Sequence, residues 1–138
     1  MSRICNILVV EDDDAVRALL GDILDLAGYE FALVRNGAEM RENLDREKFD
    51  VAIVDISLRG SEDGFDLAKV VAARGCAVIL TTGNPKHRPR LETSGQRHLF
   101  KPFRVQEMTE LVDEVLSDTG ALCEKRGGCD DPPVSAAA

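Results

Sequence analysis

Short apolar runs recur along the chain and alternate with longer segments whose apolar residues follow helical spacing. The runs are bounded by turn signals, as buried parallel strands are. We predict five strands in this way, at residues 7–10, 30–34, 50–54, 77–81 and 98–100. Strands that alternate with helices of about 10–15 residues indicate right-handed βαβ units and one parallel sheet.

Helical periodicity defines most of the connections between these strands. The first helix is predicted over residues 16–27, with Asp13 or Asp14 as its N-cap and Gly28 as its terminator. Three further helices are predicted by the same spacing, at residues 37–45, at residues 65–74 and from residue 104 onward. Each is amphipathic, so each is expected to cover one face of the sheet.

The connection between the fourth and fifth predicted strands does not follow this helical spacing. Residues 83–97 contain Pro85, Pro89 and Gly95. Proline lacks a backbone donor and disfavours the helical region for the residue before it. We therefore expect the fourth helix to be short or irregular.

Composition limits the domain count and the class of partner. A chain of 138 residues, with 44% hydrophobic and 30% charged residues, can bury one core but hardly two. A net charge of −8 argues against a nucleic-acid-binding surface, which needs clustered Lys and Arg. No stretch approaches the ~20 apolar residues of a membrane span, and no signal sequence is recognised. We expect a cytoplasmic protein that contacts neither nucleic acid nor membrane.

The C-terminal end differs in composition from the rest. From about residue 119 it is rich in Gly, Pro, Ser, Asp and Ala, so we predict a domain over residues 1–118 and a disordered tail over residues 119–138. Cys123 and Cys129 lie in this tail, and their spacing defines no metal or redox role. The other two cysteines lie beside predicted strands and are expected to be buried thiols: Cys5 and Cys76.

Polar residues follow the predicted strands at their carboxyl ends, which border the ligand crevice in an open parallel sheet. Glu11 and Asp12 follow the first strand, Asp55 the third, Thr82 the fourth and Lys101 the fifth. Three crowded carboxylates would repel each other without a cation, and Mg²⁺ prefers oxygen ligands. The sequence therefore predicts a magnesium site beside a hydroxyl and an ammonium group.

Asp55 is the candidate nucleophile of this site. An aspartate that ends a strand can simply cap a turn, but a carboxylate can also accept a phosphoryl group as an acyl phosphate. Phosphoryl transfer needs mainly positioning and charge neutralisation, which a metal ion, a hydroxyl and Lys101 supply. Only one of Thr81 and Thr82 can face the rim, and Thr82 is preferred because Gly83 lets the backbone approach an anion.

The motifs that carry these residues resemble the receiver domain of two-component response regulators, over residues 4 to about 117. They are Val9-Val10-Glu11-Asp12-Asp13, Val54-Asp55-Ile56-Ser57-Leu58, Asp63-Gly64, Thr82-Gly83 and Lys101-Pro102-Phe103. The resemblance implies an α/β fold, a flavodoxin-like (βα)5 three-layer sandwich with a parallel five-stranded sheet in the order 2-1-3-4-5. It also implies a cis bond between Lys101 and Pro102.

The resemblance further implies a phosphoryl-accepting switch. Asp55 would take a phosphoryl group from a phosphohistidine of a sensor histidine kinase or a histidine phosphotransfer protein, with Mg²⁺ as the cofactor. The expected metal ligands are Glu11, Asp12, Asp55 and the backbone carbonyl of Ser57, while Thr82 and Lys101 would hold the phosphoryl oxygens.

The 20 residues after residue 118 are too few to fold as a DNA-binding unit, so we expect a single-domain receiver that switches protein contacts or relays phosphate. It would catalyse only its own phosphorylation and dephosphorylation and would not otherwise be an enzyme. The sequence does not identify the kinase or the downstream protein, the lifetime of the phosphorylated state, or whether the protein forms a homodimer.

The chain departs from the family pattern in the loop after Asp55 and near the fifth strand. Arg59-Gly60 stands where a proline is common, which predicts a more mobile loop. His98 stands where an aromatic residue is common; it is either an exposed or packed ring at the start of the strand or a switch that swings toward Thr82 on phosphorylation. Four basic residues are expected to form a patch that is solvated or docks an acidic partner: His87, Arg88, Arg90 and Arg97.

Two other functions compete with this interpretation. A haloacid-dehalogenase-like phosphatase also uses an aspartyl nucleophile with Mg²⁺, but that family places the nucleophile on the first strand in an Asp-x-Asp motif. Here Asp55 lies on the third strand and Ser57 occupies the second acidic position. The other alternative is a degenerate receiver that binds partners without being phosphorylated, which the complete set of site residues disfavours.

Overall fold

Five parallel strands form the central sheet of the computed structural model, which describes residues 3–57, 63–120 and 123–124. The strands are β1 Asn6–Val10, β2 Glu30–Val34, β3 Val51–Asp55, β4 Ala77–Thr82 and β5 Arg97–Phe100. Their order in the sheet is 2-1-3-4-5, and every neighbouring pair is parallel. The predicted flavodoxin-like topology is confirmed.

Within the described residues, five α-helices cover the sheet: α1 Asp14–Leu26, α2 Gly37–Arg46, α3 Gly64–Ala73, α4 Arg88–Ser94 and α5 Val105–Asp118. Short polar side chains cap the first three by accepting a backbone N–H of the first turn. Asp13 rather than Asp14 is the N-cap of α1, since its carboxylate accepts from Val16 N at 2.9 Å. Gly28, with a φ of 86°, follows the end of α1 as predicted.

Helix α4 has only 7 residues, in agreement with the prediction of a short helix. The 3₁₀ helix Pro85–His87 precedes it directly. Both prolines of this segment lie in the first turn of a helix, where the missing N–H removes no intrahelical hydrogen bond. Gly95, in the left-handed conformation with a φ of 76°, ends α4.

The core has two layers, one on each face of the sheet, because successive side chains of a strand point to opposite faces. In β1, Ile7 and Val9 belong to the layer under α1 and α5, while Leu8 and Val10 belong to the layer under α2, α3 and α4. All four side chains are fully buried. This arrangement is the predicted three-layer sandwich, and it leaves only the strand ends free to carry polar groups.

Two short segments lie outside the central sheet. Arg3–Ile4 pairs in parallel with Cys123–Glu124, which falls in the region predicted as a disordered tail. The rest of that region beyond residue 120 lies outside the described residues, so its disorder stays a prediction. None of the described helices combines the length and apolarity needed to cross a membrane.

The cysteines only partly agree with expectation. Cys76 is a buried free thiol that donates to the Phe49 carbonyl at 3.0 Å. Cys5 is also buried but is disulfide-bonded, so the prediction of a free thiol there was wrong. Strand position predicts burial, but the oxidation state depends on what the fold brings near the sulfur. The side chains of Cys123 and Cys129 lie outside the described residues.

Candidate functional site

The carboxyl ends of β1, β3 and β4 lie side by side, and the site is built on them. The register aligns Val10 with Val54 and Asp55 with Thr81. Glu11 follows Val10 and Asp55 follows Val54, so the two carboxylates come at the same level of neighbouring strands. Strand alignment alone thus brings the first acidic pair and Asp55 to one edge of the sheet, as the sequence predicts.

Glu11, Asp12 and Asp55 form an acidic cluster. One carboxylate oxygen from each lies within 4.8 Å of the others. Glu11 is 1% exposed and Asp55 is 3% exposed, whereas Asp12 is half-buried. Because two of the carboxylates are almost fully removed from water, their charges need compensation from within the site.

Lys101 supplies part of that compensation. Its Nζ donates to Glu11 Oε1 at 2.6 Å and to Asp55 Oδ2 at 2.9 Å, so one ammonium group bridges two buried carboxylates. Burial by itself would lower the pKa of Lys101, but the hydrogen bonds to Glu11 and Asp55 outweigh burial and raise the pKa. The peptide bond between Lys101 and Pro102 is cis, as expected.

The two buried carboxyl groups titrate differently. Burial raises the pKa of Glu11 to about 7, and the hydrogen-bonded carboxyl group of Asp55 adds to that rise. Burial also opposes ionisation of Asp55, but hydrogen bonds from Glu11, Ser57 and Lys101 lower the pKa of Asp55 below its ordinary value. Near neutral pH, without a metal ion, Asp55 is therefore the ionised member of the pair and Glu11 retains much of its proton.

Ser57 fixes one oxygen of Asp55. Its backbone N–H donates to Asp55 Oδ1 at 2.8 Å, and its hydroxyl donates to the same atom at 2.7 Å. The sequence assigned Ser57 only through its backbone carbonyl, so this side-chain role was missed. A serine two residues after an aspartate is a common local turn pattern, which could have indicated it.

Thr82 and Thr81 point to opposite sides of β4. Thr82 Oγ1 lies 3.4 Å from Ser57 Oγ and accepts from Asn84 N at 3.0 Å. Thr81 Oγ1 is buried and has no hydrogen-bond partner among the described residues. The structure thus brings Thr82 into the site with Ser57 and Asp55 and leaves Thr81 in the core.

His87 is a site residue that the sequence did not identify. Its Nδ1 lies 2.7 Å from Thr82 Oγ1. The sequence placed His87 in a basic patch and considered a swing of His98 toward Thr82 on phosphorylation. In the structure, His98 Nδ1 lies 2.7 Å from the Gln96 carbonyl oxygen and its ring packs against Phe100, so the swing stays a prediction. No spacing rule could distinguish the two histidines, because the 3₁₀ helix determines where His87 lies.

The expected basic patch is not a surface of free charges. Arg97 pairs with Glu114 at 2.8 Å and also with Asp118. The guanidinium groups of Arg88 and Arg90 lie over aromatic rings, at 3.8 Å from Phe100 and 3.6 Å from Phe65. Arg88 also pairs with Glu92 of its own helix at 3.5 Å, while the other contacts of these arginines join different elements.

Two remaining features frame the site. The Arg17 guanidinium donates to the Glu11 carbonyl at 2.9 Å and so ties α1 to the end of β1. Asp63 caps α3 by accepting from Phe65 N at 2.8 Å.

Residues 58–62 lie outside the described residues, and with them Arg59-Gly60, so the mobility of that loop stays a prediction.

Curated relatives of this chain are similar to it in sequence. The chain is 32% identical over 130 residues to the transcriptional regulatory protein GltR of Pseudomonas aeruginosa, covering 89% of this chain and 53% of that protein. The chain spans about half the length of the curated relatives it matches.

Solved structures of other proteins have the same fold as this chain. The response regulator TrrA of Thermotoga maritima, in a complex with Mg²⁺-BeF, is 28% identical and superimposes with a TM-score of 0.72, covering 82% of this chain and all (100%) of that chain. A CheY-like receiver domain from Methanospirillum hungatei is 24% identical and has the same fold, with a TM-score of 0.75 over 85% of this chain and 97% of that chain.

The family model of the response regulator receiver domain matches residues 7–113, which include the acidic cluster, Thr82 and Lys101. That match, together with the 2-1-3-4-5 sheet, disfavours the phosphatase alternative. The chain belongs to the response regulator receiver domain family of two-component signalling.

Proposed function

We propose that Asp55 accepts a phosphoryl group from a phosphohistidine of a sensor histidine kinase or a histidine phosphotransfer protein. In this step an Oδ–P bond forms on Asp55 as the N–P bond of the donor breaks, and the released imidazole takes up a proton. The observation that carries the proposal is the contact of Lys101 Nζ with Asp55 Oδ2 at 2.9 Å, on a carboxylate whose other oxygen Ser57 holds. Such a carboxylate is ionised, oriented and available as a nucleophile.

Magnesium fits the same cluster. Glu11, Asp12 and Asp55 offer three carboxylate oxygens within 4.8 Å of one another, and oxygen is the ligand type that Mg²⁺ prefers. With Mg²⁺ bound, Glu11 would lose its proton, because a nearby cation favours the charged form of a carboxyl group. The backbone carbonyl of Ser57 is the proposed fourth protein ligand. The ion would neutralise charge on the phosphoryl oxygens during transfer.

Lys101 and Thr82 would then bind the phosphoryl group. Lys101 already contacts the acceptor carboxylate, and Thr82 Oγ1 lies 3.4 Å from the Ser57 hydroxyl that contacts the same carboxylate. A phosphoryl group adds charge and three acceptor oxygens, which an ammonium and a hydroxyl donor can satisfy. The change in these contacts would alter the surface offered to a downstream protein or to a second phosphotransfer partner.

The proposal is tested by the Asp55→Asn variant. Wild-type protein with Mg²⁺ and acetyl phosphate is expected to gain the mass of one phosphoryl group by intact mass spectrometry, and Asp55→Asn is expected to gain none. The amide keeps the shape of the carboxylate but removes the nucleophilic charge, so circular dichroism should show an unchanged fold. Asp22→Asn, on the exposed face of α1, is the charge-matched control and should be phosphorylated normally. Phosphorylation of Asp55→Asn at the wild-type level would overturn the assignment.

A further inference from the structure

The hydroxyl group of Thr82 is shared by more partners than its single hydrogen can serve. Thr82 is fully buried, and its Oγ1 contacts Asn84 N at 3.0 Å, His87 Nδ1 at 2.7 Å and Ser57 Oγ at 3.4 Å. Asn84 N can only donate, so it occupies a lone pair of the Thr82 oxygen. The Thr82 hydrogen is then left for either His87 or Ser57.

The distances of these contacts favour His87. Ser57 already donates its hydroxyl hydrogen to the acceptor-only carboxylate of Asp55 at 2.7 Å, so it can only accept from Thr82. Its oxygen lies 3.4 Å from Thr82 Oγ1, which is long for a hydrogen bond between two hydroxyl groups, whereas His87 Nδ1 lies at 2.7 Å. Thr82 therefore donates its hydrogen to His87 Nδ1, which is then an acceptor with the ring hydrogen on Nε2.

We propose that His87 is a positioning residue that competes with the phosphoryl group for the hydroxyl hydrogen of Thr82. This inference rests on the proposed function of Asp55 and extends it to a residue outside the acidic cluster. A phosphoryl oxygen needs a donor from Thr82, and Thr82 cannot donate to it while it donates to His87. On phosphorylation Thr82 would exchange His87 for a phosphoryl oxygen as the acceptor of its hydrogen, so an accepting His87 favours the unphosphorylated arrangement.

The competition has a structural consequence in the segment that carries His87. Thr82 Oγ1 holds this segment at two points, through Asn84 N and through the His87 ring. The side chain of Asn84 in turn caps the 3₁₀ helix Pro85–His87 by accepting from Lys86 N at 2.9 Å. Helix α4 follows immediately. Release of His87 therefore removes one of the two contacts that hold the 3₁₀ helix. Because α4 follows directly, the effect of phosphorylation at Asp55 would reach the surface at the start of α4.

The test is the affinity for beryllofluoride, a phosphoryl mimic, measured by NMR titration in saturating Mg²⁺. His87→Ala removes the competing acceptor, so it is expected to bind about fivefold more tightly than wild type, the effect of losing one ordinary hydrogen bond. His87→Asn places an amide oxygen near the position of Nδ1 and should restore wild-type affinity within about twofold. His87→Gln places its amide near the position of Nε2 and should behave as His87→Ala does.

Three comparisons separate positioning from a general structural effect. In a Thr82→Val background, His87→Ala should have no further effect, because the shared hydrogen is absent. His98→Ala removes the other histidine, which contacts Gln96 and not Thr82, and should bind as wild type does. In wild type, the ¹⁵N shift of His87 Nδ1 should show an unprotonated acceptor and should move when beryllofluoride binds.

The outcomes distinguish this inference from the proposed function. If wild type binds beryllofluoride and His87→Ala binds with equal or weaker affinity, the role of His87 is overturned and that of Asp55 stands. If wild type binds neither beryllofluoride nor a phosphoryl group, the proposed function fails, and the inference fails with it. An Nδ1 that carries a hydrogen in the free protein would also overturn the inference.

Discussion

At the scale of single residues, the acidic site combines the ammonium group of Lys101 with the two buried carboxyl groups of Glu11 and Asp55. Lys101 bridges Glu11 and Asp55, but burial and the neighbouring carboxyl group of Asp55 raise the pKa of Glu11 despite the hydrogen bond from Lys101. A magnesium ion at this cluster would favour the ionised form of Glu11 and so lower its pKa again. Because the pKa of Glu11 in the folded protein differs from its ordinary value, the free energy of unfolding depends on pH.

The first prediction at this scale concerns Glu11. Its folded-state pKa of about 7 lies above the model-peptide value of 4.5, so between these values the native state holds a proton that the unfolded state has lost. The free energy of unfolding should therefore fall as pH rises from 4.5 to about 7, by at most ~1.4 kcal/mol per pH unit from this group. The lowered pKa of Asp55 acts below 3.8, outside that window.

Urea denaturation of metal-free protein across this range measures the effect. Carboxyl groups outside the cluster contribute equally to wild type and to Glu11→Gln, so the difference between the two profiles isolates Glu11 and its hydrogen-bonded partner Asp55. Glu11→Gln should lose less stability than wild type as the pH rises. Parallel profiles would show that Glu11 is ionised normally in the folded protein.

At the scale of elements, the site depends on how closely α3 approaches the end of β3. Gly64 is the first residue of α3, and a Cβ atom there would lie 2.8 Å from the Asp55 carbonyl oxygen and closer still to the Ile56 backbone. Only a residue without a side chain allows the helix to begin directly behind Asp55. The Asp63-Gly64 pair therefore serves two purposes, since Asp63 caps the helix and Gly64 permits its position.

Gly64→Ala is predicted to destabilise the fold by about 3 kcal/mol, because the neighbouring atoms are backbone atoms that cannot move aside cheaply. Gly83→Ala is the matched control. A Cβ atom at Gly83 would lie 3.7 Å from Lys101 Cβ, an ordinary contact, and the expected change is less than ~1 kcal/mol. Thermal or urea denaturation measures both variants. Equal stability of the two would mean that α3 can shift away from β3 without cost.

At the scale of the whole molecule, the site exists only when three strands and the turn before α5 are assembled. Glu11, Asp55 and Lys101 are separated by 44 and more residues in sequence yet are joined by hydrogen bonds of 2.6 and 2.9 Å. An unfolded chain cannot hold three such groups together, so a ligand of the cluster binds the native state selectively. Binding and global stability are thereby linked.

Magnesium is accordingly predicted to stabilise the folded protein. At ten times its dissociation constant, the ion should raise the free energy of unfolding by about 1.4 kcal/mol at pH 7.5. Asp12→Asn, which removes one carboxylate of the cluster, should reduce this gain, whereas Asp22→Asn, on the exposed face of α1, should keep it. Thermal denaturation with and without Mg²⁺ measures the gain. An equal gain in both variants would show that the ion stabilises the protein from elsewhere.

The sequence by itself determined the order and type of the elements and the strand ends that carry the chemistry. Apolar runs and helical periodicity are local signals, and parallel strands that pair in register must bring their carboxyl ends to one edge. For this reason Glu11, Asp12, Asp55, Thr82 and Lys101 could be grouped before any coordinates were known. The prolines similarly predicted that α4 would be short.

Only the tertiary structure decided which side chains contact one another and in what state. Whether His87 or His98 reaches Thr82 depends on the path of a 3₁₀ helix, and whether Arg97 is free depends on acidic residues of α5. The disulfide at Cys5 and the proton on Glu11 also depend on neighbours distant in sequence. These properties arise from distance and burial, which act between elements and leave no local pattern in the chain.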